Sequence, residues 1–243
     1  VETNNYDFFD MNSDIQFDLP KNISNYIKVI GVGGGGCNAV NFMHNEGIKG
    51  VDYVVCNTDA QALENSPIPN KIQLGVTLTE GLGANPDIGE KAALESIEDI
   101  QRTLEGNTQM VFITAGMGGG TGTGAVPVIA KQAKDMGILT VAIVTTPFNY
   151  EGLKRSRQAQ AGIKKLRDCV DSLIVINNNK INEIYGDLSI KESYGKANEI
   201  LLKGAKGMAE VISKHYLVNI DLRDARTVLE NGGTAIMGSA SAE

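Results

Sequence analysis

Apolar residues fall into short blocks separated by glycine-rich or polar stretches, and strand-like and helix-like spacing alternate along the chain. Residues 26–32 form a β-branched block that runs into four glycines at 33–36, after which 38–46 carry apolar positions at helical spacing and stop at Gly47. Blocks at 51–56 and 71–74 predict two more strands, and a helix is predicted over 86–104 with Pro86 in its first turn. A strand at 110–115, a glycine run at 116–124 and a helix from Ala125 onward follow as one unit. Next come an apolar strand at 139–145, a basic helix at 151–169 and a strand at 172–176. Buried strands alternating with helices predict an α/β fold: a parallel sheet with helices on both faces, Rossmann-like in its opening units.

Beyond these units, Ile190, Tyr194, Ala197, Leu201, Met208, Val211 and Ile212 recur at helical spacing, with Ile200 and Leu202 widening the stripe. This predicts a long, buried core helix over 190–216. Residues 218–224 read as a short helix, and 234–237 as a strand that begins a further unit.

Composition narrows the function classes. The 243 residues are 42% hydrophobic, enough to fill a core, and 28 glycines indicate a loop-rich protein. The formal net charge of -7 owes much to Glu2, Asp7, Asp10, Asp14 and Asp18 near the start, so 1–24 is expected to be an acidic, disordered tail. The remainder is close to neutral, which excludes a basic nucleic-acid surface. No stretch approaches the length and apolarity of a membrane span, and the acidic start is unlike a signal peptide, so a cytoplasmic protein is expected. Cys37, Cys56 and Cys169 are odd in number and widely spaced, with only His44 and His215 to join them; reduced thiols and no zinc are expected.

The candidate chemistry lies in the glycines. In the run 116–124, six glycines and two threonines follow a strand and open a helix, an arrangement that brings backbone N–H groups and a positive dipole end to an anion. The run lacks the Lys-Ser or Lys-Thr of the common phosphate loop. The segment 31–36 also fits G-x-G-x-x-G, which leaves open a Rossmann oxidoreductase using NAD or a flavin. Such a site needs an acid at the end of the second strand, where this chain has Cys56, Asn57 and Thr58, with Asp59 further on. Two glycine loops at the carboxyl ends of parallel strands would instead enclose one polyphosphate, with Mg2+ expected to neutralise its outer charge.

The motif GGGTGTG at 118–124 resembles the tubulin signature. Together with GVGGGGCNAV (31–40), VCNTDAQAL (55–63), TTPFNYEGLKR (145–155) and NIDLRDARTV (219–228), it makes the chain from about residue 27 onward similar to the FtsZ family of bacterial cell-division GTPases. The resemblance implies GTP or GDP as ligand, with Gly34, Gly35, Gly36 and Asn38 on the phosphates and Gly120, Thr121 and Gly122 on the outer ones. It places Glu151 and Arg155 around the ribose, and Asn178, Tyr194 and Asn198 around the guanine. It makes Asp221 and Asp224, with Asn219 beside them, the acidic pair that acts in hydrolysis, with a monovalent cation as a further candidate. Read without the resemblance, Glu151 and Arg155 are a surface ion pair four apart on one helix, and Asn177 to Asn179 are a loop. Tyr194 is then a core residue, and Asn219 or Asp221 an N-cap.

Under this resemblance the chain divides into a tail at 1–24, a GTP-binding domain at 25–189, the core helix at 190–216, and at 217–243 a synergy loop with the start of a second subdomain. The family's partners would be other copies of the same protein, joined head to tail into filaments, and membrane-anchoring division proteins met through a C-terminal peptide that lies outside this chain. A chain of this extent is expected to bind nucleotide but polymerise poorly, or to retain GDP without turning it over. Helix length adds a geometric constraint. Asn198 and Tyr216 are separated by about 27 Å at roughly 1.5 Å per residue, so Asp221 is expected to reach only a neighbour's nucleotide. Head-to-tail contacts of this kind repeat into filaments.

Overall fold

The computed structural model describes residues 25–48, 50–77, 84–186, 188–213 and 222–236. Seven parallel strands form one sheet: β1 (Ile27–Val32), β2 (Asp52–Asn57), β3 (Asn70–Gln73), β4 (Met110–Gly116), β5 (Leu139–Thr146), β6 (Ser172–Asn177) and β7 (Gly233–Thr234). Their order is β3-β2-β1-β4-β5-β6-β7, which extends the doubly wound order by one edge strand. The chain leaves β1 toward β2 on one side and returns to β4 on the other, so the topological switch point lies between β1 and β4.

Strand residues alternate between two apolar layers. Val111, Ile113 and Ala115 of β4 face α3 (Pro86–Glu95), α4 (Ile97–Leu104), α5 (Thr121–Asp135) and α6 (Leu153–Arg167). Met110 and Phe112 face α1 (Gly33–Asn45) and α8 (Ile190–Ser213). Three further helices are α2 (Ala60–Glu64), α7 (Asn178–Tyr185) and α9 (Leu222–Leu229).

Several sequence expectations are corrected here. The first glycine run is not a loop ahead of a helix at 38; α1 begins at Gly33, so the glycines form its first turn. The helix expected over 86–104 breaks at Ser96, whose buried hydroxyl donates to the Gln73 carbonyl (3.3 Å) and accepts from the Gly75 amide (3.1 Å). The basic helix starts only at Leu153, after a 3-10 turn (Asn149–Glu151) and Gly152 at φ 94°, so Glu151 and Arg155 do not share one helix.

Asn178 and Asn179 open α7 rather than a loop, with Asn177 as the cap that accepts from the Asn179 amide. The short helix expected at 218–224 is observed over Leu222–Leu229, with 218–221 outside the described residues. The last strand is Gly233–Thr234, paired to β6 in the same sheet, and Met237 lies outside the described residues. On α8 the core face is narrower than expected. Ala197, Leu201, Leu202, Ala205 and Ala209 are buried, but Ile190 and Tyr194 are 63% and 40% exposed; the side chains of Met208, Val211 and Ile212 lie outside the described residues.

Candidate functional site at the switch point

A cleft of about 440 Å³ opens at the carboxyl ends of β1 and β4. Its floor is glycine because two backbones meet there. In the β1–β4 register Val32 pairs with Ala115, so the two glycine loops leave the sheet side by side. A Cβ on Gly35 would lie 3.2 Å from Cα of Gly116, and one on Gly33 would lie 2.9 Å from the Gly122 nitrogen. Gly118, at φ 106°, is held by its amide donating to Oγ1 of Thr123 at 2.7 Å.

The same loops start helices whose ends are left open. α2, α3 and α7 are capped by the side chains of Asp59, Asn85 and Asn177. By contrast, α1 and α5 begin at Gly33 and Thr121 with no side-chain cap and no acid in the first turn. Two sets of unpaired N–H groups and two positive dipole ends therefore face one cleft. Gly34 and Gly119 add a sharper observation. Nothing lies within 4 Å of where their Cβ would sit, and neither has a positive φ, so neither protein packing nor backbone conformation demands glycine there. Close approach by a ligand would demand it.

Of the residues implied by the resemblance, Gly34, Gly35, Asn38, Gly120, Thr121, Gly122, Glu151, Arg155, Asn178, Tyr194 and Asn198 all line this cleft. Gly36 does not: a methyl group there would strike the Thr114 carbonyl, so its glycine lets α1 pack onto β4. Gly33, Met117, Gly119, Thr145 and Thr146 also line the cleft; they fall in the glycine segments and the TTPFNYEGLKR motif but were not picked as site residues from the sequence. Thr58 was missed too; its hydroxyl lies 2.8 Å from that of Thr121 and joins the β2–α2 turn to the second loop. Its position in VCNTDAQAL was the available signal.

At the far end of the cleft, Arg155 donates to Oε2 of Glu151 at 2.7 Å while Oε1 accepts from the Phe148 amide at 2.9 Å. Phe148 is stacked on Tyr150, ring centroids 5.0 Å apart, and meets Tyr194 edge-on at 5.1 Å. Burial first, then the Glu151 carboxylate, push the Tyr194 hydroxyl above its ordinary pKa, so it stays a neutral donor. Asn178 is 3% exposed, and its buried Oδ1 has no hydrogen-bond partner. A buried acceptor without a donor costs about 1–3 kcal/mol, and a ligand donor in this cleft would remove that cost.

Asp59, the acid nearest the position a dinucleotide's ribose would require, is committed to α2, where its carboxylate accepts from the Gln61 and Ala62 amides. Asp224 is exposed and lies on α9 at the opposite end of the sheet, where Arg226 donates to the carbonyl of Gly137 just before β5. Asn219 and Asp221 lie outside the described residues. Among the described residues no group of three or more His, Cys, Asp or Glu side chains is placed to hold a metal ion, and no helix is long and apolar enough to cross a membrane.

The cysteines near the cleft are packing groups. Cys37, next after the first glycine loop, is buried, and its thiol makes weak contacts to the carbonyls of Gly31 and Cys56. Burial pushes its pKa up to about 12 and that of Cys56 higher still, so both remain protonated at pH 8. Cys169 is only partly buried. A thiol reagent at pH 8 is expected to modify Cys169 first and the other two only on unfolding, which mass spectrometry of the labelled peptides reads directly. Equal labelling of all three in the native protein would contradict this packing.

Comparison with known proteins agrees with the geometry. Residues 26–186 match the Tubulin/FtsZ family, GTPase domain. The chain is 50% identical over 215 residues to the cell division protein FtsZ of Aquifex aeolicus, covering 87% of this chain and 58% of that protein. It is 51% identical over 231 residues to that of Pseudomonas putida, covering 93% and 58%. Among solved structures, an empty FtsZ dimer from M. jannaschii superposes with a TM-score of 0.82 at 44% identity, covering 87% of this chain and 62% of that one. CetZ2 from Haloferax volcanii, solved as a GTPgS-bound protofilament, shares the fold with a TM-score of 0.73 at 21% identity over 86% of this chain and 64% of that one. The chain spans 58% of the length of these curated relatives. With its glycine-floored cleft at the switch point and a family match over most of its length, the chain belongs to the tubulin/FtsZ family and carries the fold of its GTPase domain.

Proposed function

We propose that this chain binds GTP and GDP in the switch-point cleft and forms one half of a GTP-hydrolysing site completed by the next subunit of a head-to-tail filament in bacterial cell division. The observation that carries the reading is the convergence of two uncapped helix N-termini, α1 and α5, on one cleft. Their amides take the place of the lysine used in the common phosphate loop. Gly34, Gly35 and Gly120 to Gly122 hold the phosphates, and Asn38 assists at the first loop. The Thr121 hydroxyl, oriented by Thr58, addresses the outer phosphate.

Glu151, fixed by Arg155 and the Phe148 amide, keeps lone pairs for ribose hydroxyls. Guanine presents the N1–H and amino donors that Asn178 Oδ1 lacks, with Asn198 and the Tyr194 ring completing the base end. Magnesium, when bound with the triphosphate, supplies neutralising charge on the outer oxygens. Around the outer phosphates the described residues offer it hydroxyls, Thr121 and Thr58, which suits an ion carried mainly by the phosphates. Attack by water falls to Asp224 of the neighbouring subunit, with Asp221 and Asn219. Action within the cytoplasm and recruitment by membrane-anchoring proteins belong to the same reading.

Titration of nucleotide-stripped protein with GTP, ATP and NAD tests this. GTP binding at least tenfold tighter than ATP or NAD is expected; tighter NAD binding would sink the proposal. Asn178→Ala supplies the residue-level test. It removes an orphaned acceptor, so the ligand-free protein should lose no stability, while GTP affinity falls by about tenfold or more and ATP affinity stays level. An unchanged GTP affinity in that variant would exclude Asn178 from base recognition.

A further inference from the structure

We propose that Lys134 and Asp171 are positioning residues for α9, and through it for Asp224, at the end of the sheet remote from the cleft. The inference rests on the reading of Asp224 given above. α9 has thin apolar support: none of its residues is buried, Val228 is 76% exposed, and only Leu222 and Leu229 pack against the α1–α8 side of the core. Polar ties add to this support: Arg226 and Leu229 of α9 bond to Gly137 and Ser172, and the chain that leaves α9 is held at Asp171.

Asp171 is 4% exposed. Its Oδ2 accepts from the Thr140 amide at 2.9 Å, while Oδ1 lies 3.4 Å from Nζ of Lys134 and accepts from the Asn231 amide at 3.4 Å. Lys134 closes the ring by donating to the Val170 carbonyl at 3.2 Å and to Oδ1 of Asn231 at 3.0 Å. Beside it, the Ser172 hydroxyl donates to the carbonyl of Leu229, the last residue of α9, at 2.9 Å. The Gly233 amide donates to the Asp171 carbonyl at 2.9 Å and starts β7. One buried carboxylate and one lysine thus fix the chain immediately after α9 to the entry of β5 and β6. Asp224 sits five residues, about 7.5 Å along the helix, before Leu229. Lys134 also lies in the last turn of the helix whose first residue is Thr121, so the tie is anchored on the element that opens at the cleft.

Hydrogen exchange on the chain tests the positioning. Lys134→Met, and independently Asn231→Gly, which suits the φ of 52° at that residue, are expected to raise exchange at the 226–235 amides at least tenfold. The amides of β1 and β4 and the affinity for GTP should stay within twofold, and Lys134→Arg should restore protection. Unchanged exchange at 226–235 would overturn the proposal. Loss of protection throughout the sheet would overturn it as well, since the pair would then be a general stabiliser.

A mixing assay separates this from the intersubunit reading. Gly34→Asp subunits, closed to phosphate, mixed with Asp224→Ala subunits should regain turnover, and adding Lys134→Met to the Gly34→Asp partner should cut that turnover tenfold or more. Full turnover in the second mixture would overturn the positioning role. No turnover in the first would sink the intersubunit reading, and the exchange experiment would still decide whether the pair holds α9.

Discussion

Gly34→Asp and Gly119→Asp are expected to abolish nucleotide binding without loss of fold, whereas Gly36→Ala and Gly124→Ala are expected to destabilise the fold itself. All four lie in the two glycine segments, and only the structure separates them. The positions of Cβ at 34 and 119 are open, so an aspartate fits. At residue 34 it also enters the first turn of α1, where a carboxylate favours the helix dipole by about 0.3–1 kcal/mol. That same carboxylate occupies the anion position and repels a polyphosphate at close range. A loss of at least about 100-fold in GTP affinity, near 2.7 kcal/mol, is expected. At residue 36 a methyl group strikes the Thr114 carbonyl; at residue 124 it strikes the Pro86 carbonyl and lies 2.6 Å from the Glu90 nitrogen. Relief requires α1 to leave β4, or α3 to leave α5, at a cost of about 1–3 kcal/mol or more. Thermal unfolding together with the nucleotide content of purified protein reads both classes. Nucleotide retained by Gly34→Asp would remove the cleft from the phosphate site.

This contrast also marks what the chain's sequence could tell. The strands were legible because each is a contiguous apolar block, and a central parallel strand such as Met110–Gly116, buried on both faces, needs such a block. The place of the cleft was legible because so many glycines and threonines in one run exceed the needs of a turn, and both glycine segments line it. That Gly36 serves packing while Gly34 faces open space was not legible, since it depends on which strand lies beneath each residue. Ser96 divides a helix by reaching to Gln73 and Gly75, partners more than twenty positions away, so local periodicity carried no trace of the break.

The aromatic end of the cleft was hidden for a different reason. Three consecutive asparagines read as loop by propensity, yet Asn177 caps α7 and the turn carries Asn178 into burial at the cleft. Tyr194 follows the apolar stripe of α8 by spacing and still stands 40% exposed, because the first turns of α8 bury Ser193 and Ala197 against α7 and Phe148 and leave Tyr194 at the cleft rim. The position of α9 was legible only as a distance argument along α8. The polar ring of Lys134, Asp171 and Asn231 joins residues nearly one hundred positions apart and had no sequence signal.

Asp224→Ala is expected to leave GTP affinity within twofold and to lower turnover by about 100-fold or more, in the range of a group that handles the attacking water. The effect divides in this way because Asp224 cannot touch a nucleotide in its own cleft. α9 is tied to Gly137 and Ser172 at the amino ends of β5 and β6, while the cleft lies past Gly116 and Thr145, paired neighbours at the carboxyl ends. From Leu139, which starts β5, to Thr145 the strand advances six residues, roughly 20 Å at about 3.3 Å per residue. A carboxylate acting on water must come within hydrogen-bond reach, so under the proposed function the acid arrives from another molecule. Turnover per subunit must then rise with protein concentration and level off once assembly is complete. The measurement is phosphate release across a wide dilution series of the assembling protein, with Asp224→Ala as the inactive control. Constant turnover per subunit down to concentrations where light scattering shows no assembly would place the hydrolytic groups within one chain. The amides of α1 and α5, with Thr121, would then have to supply catalysis without any acid from α9.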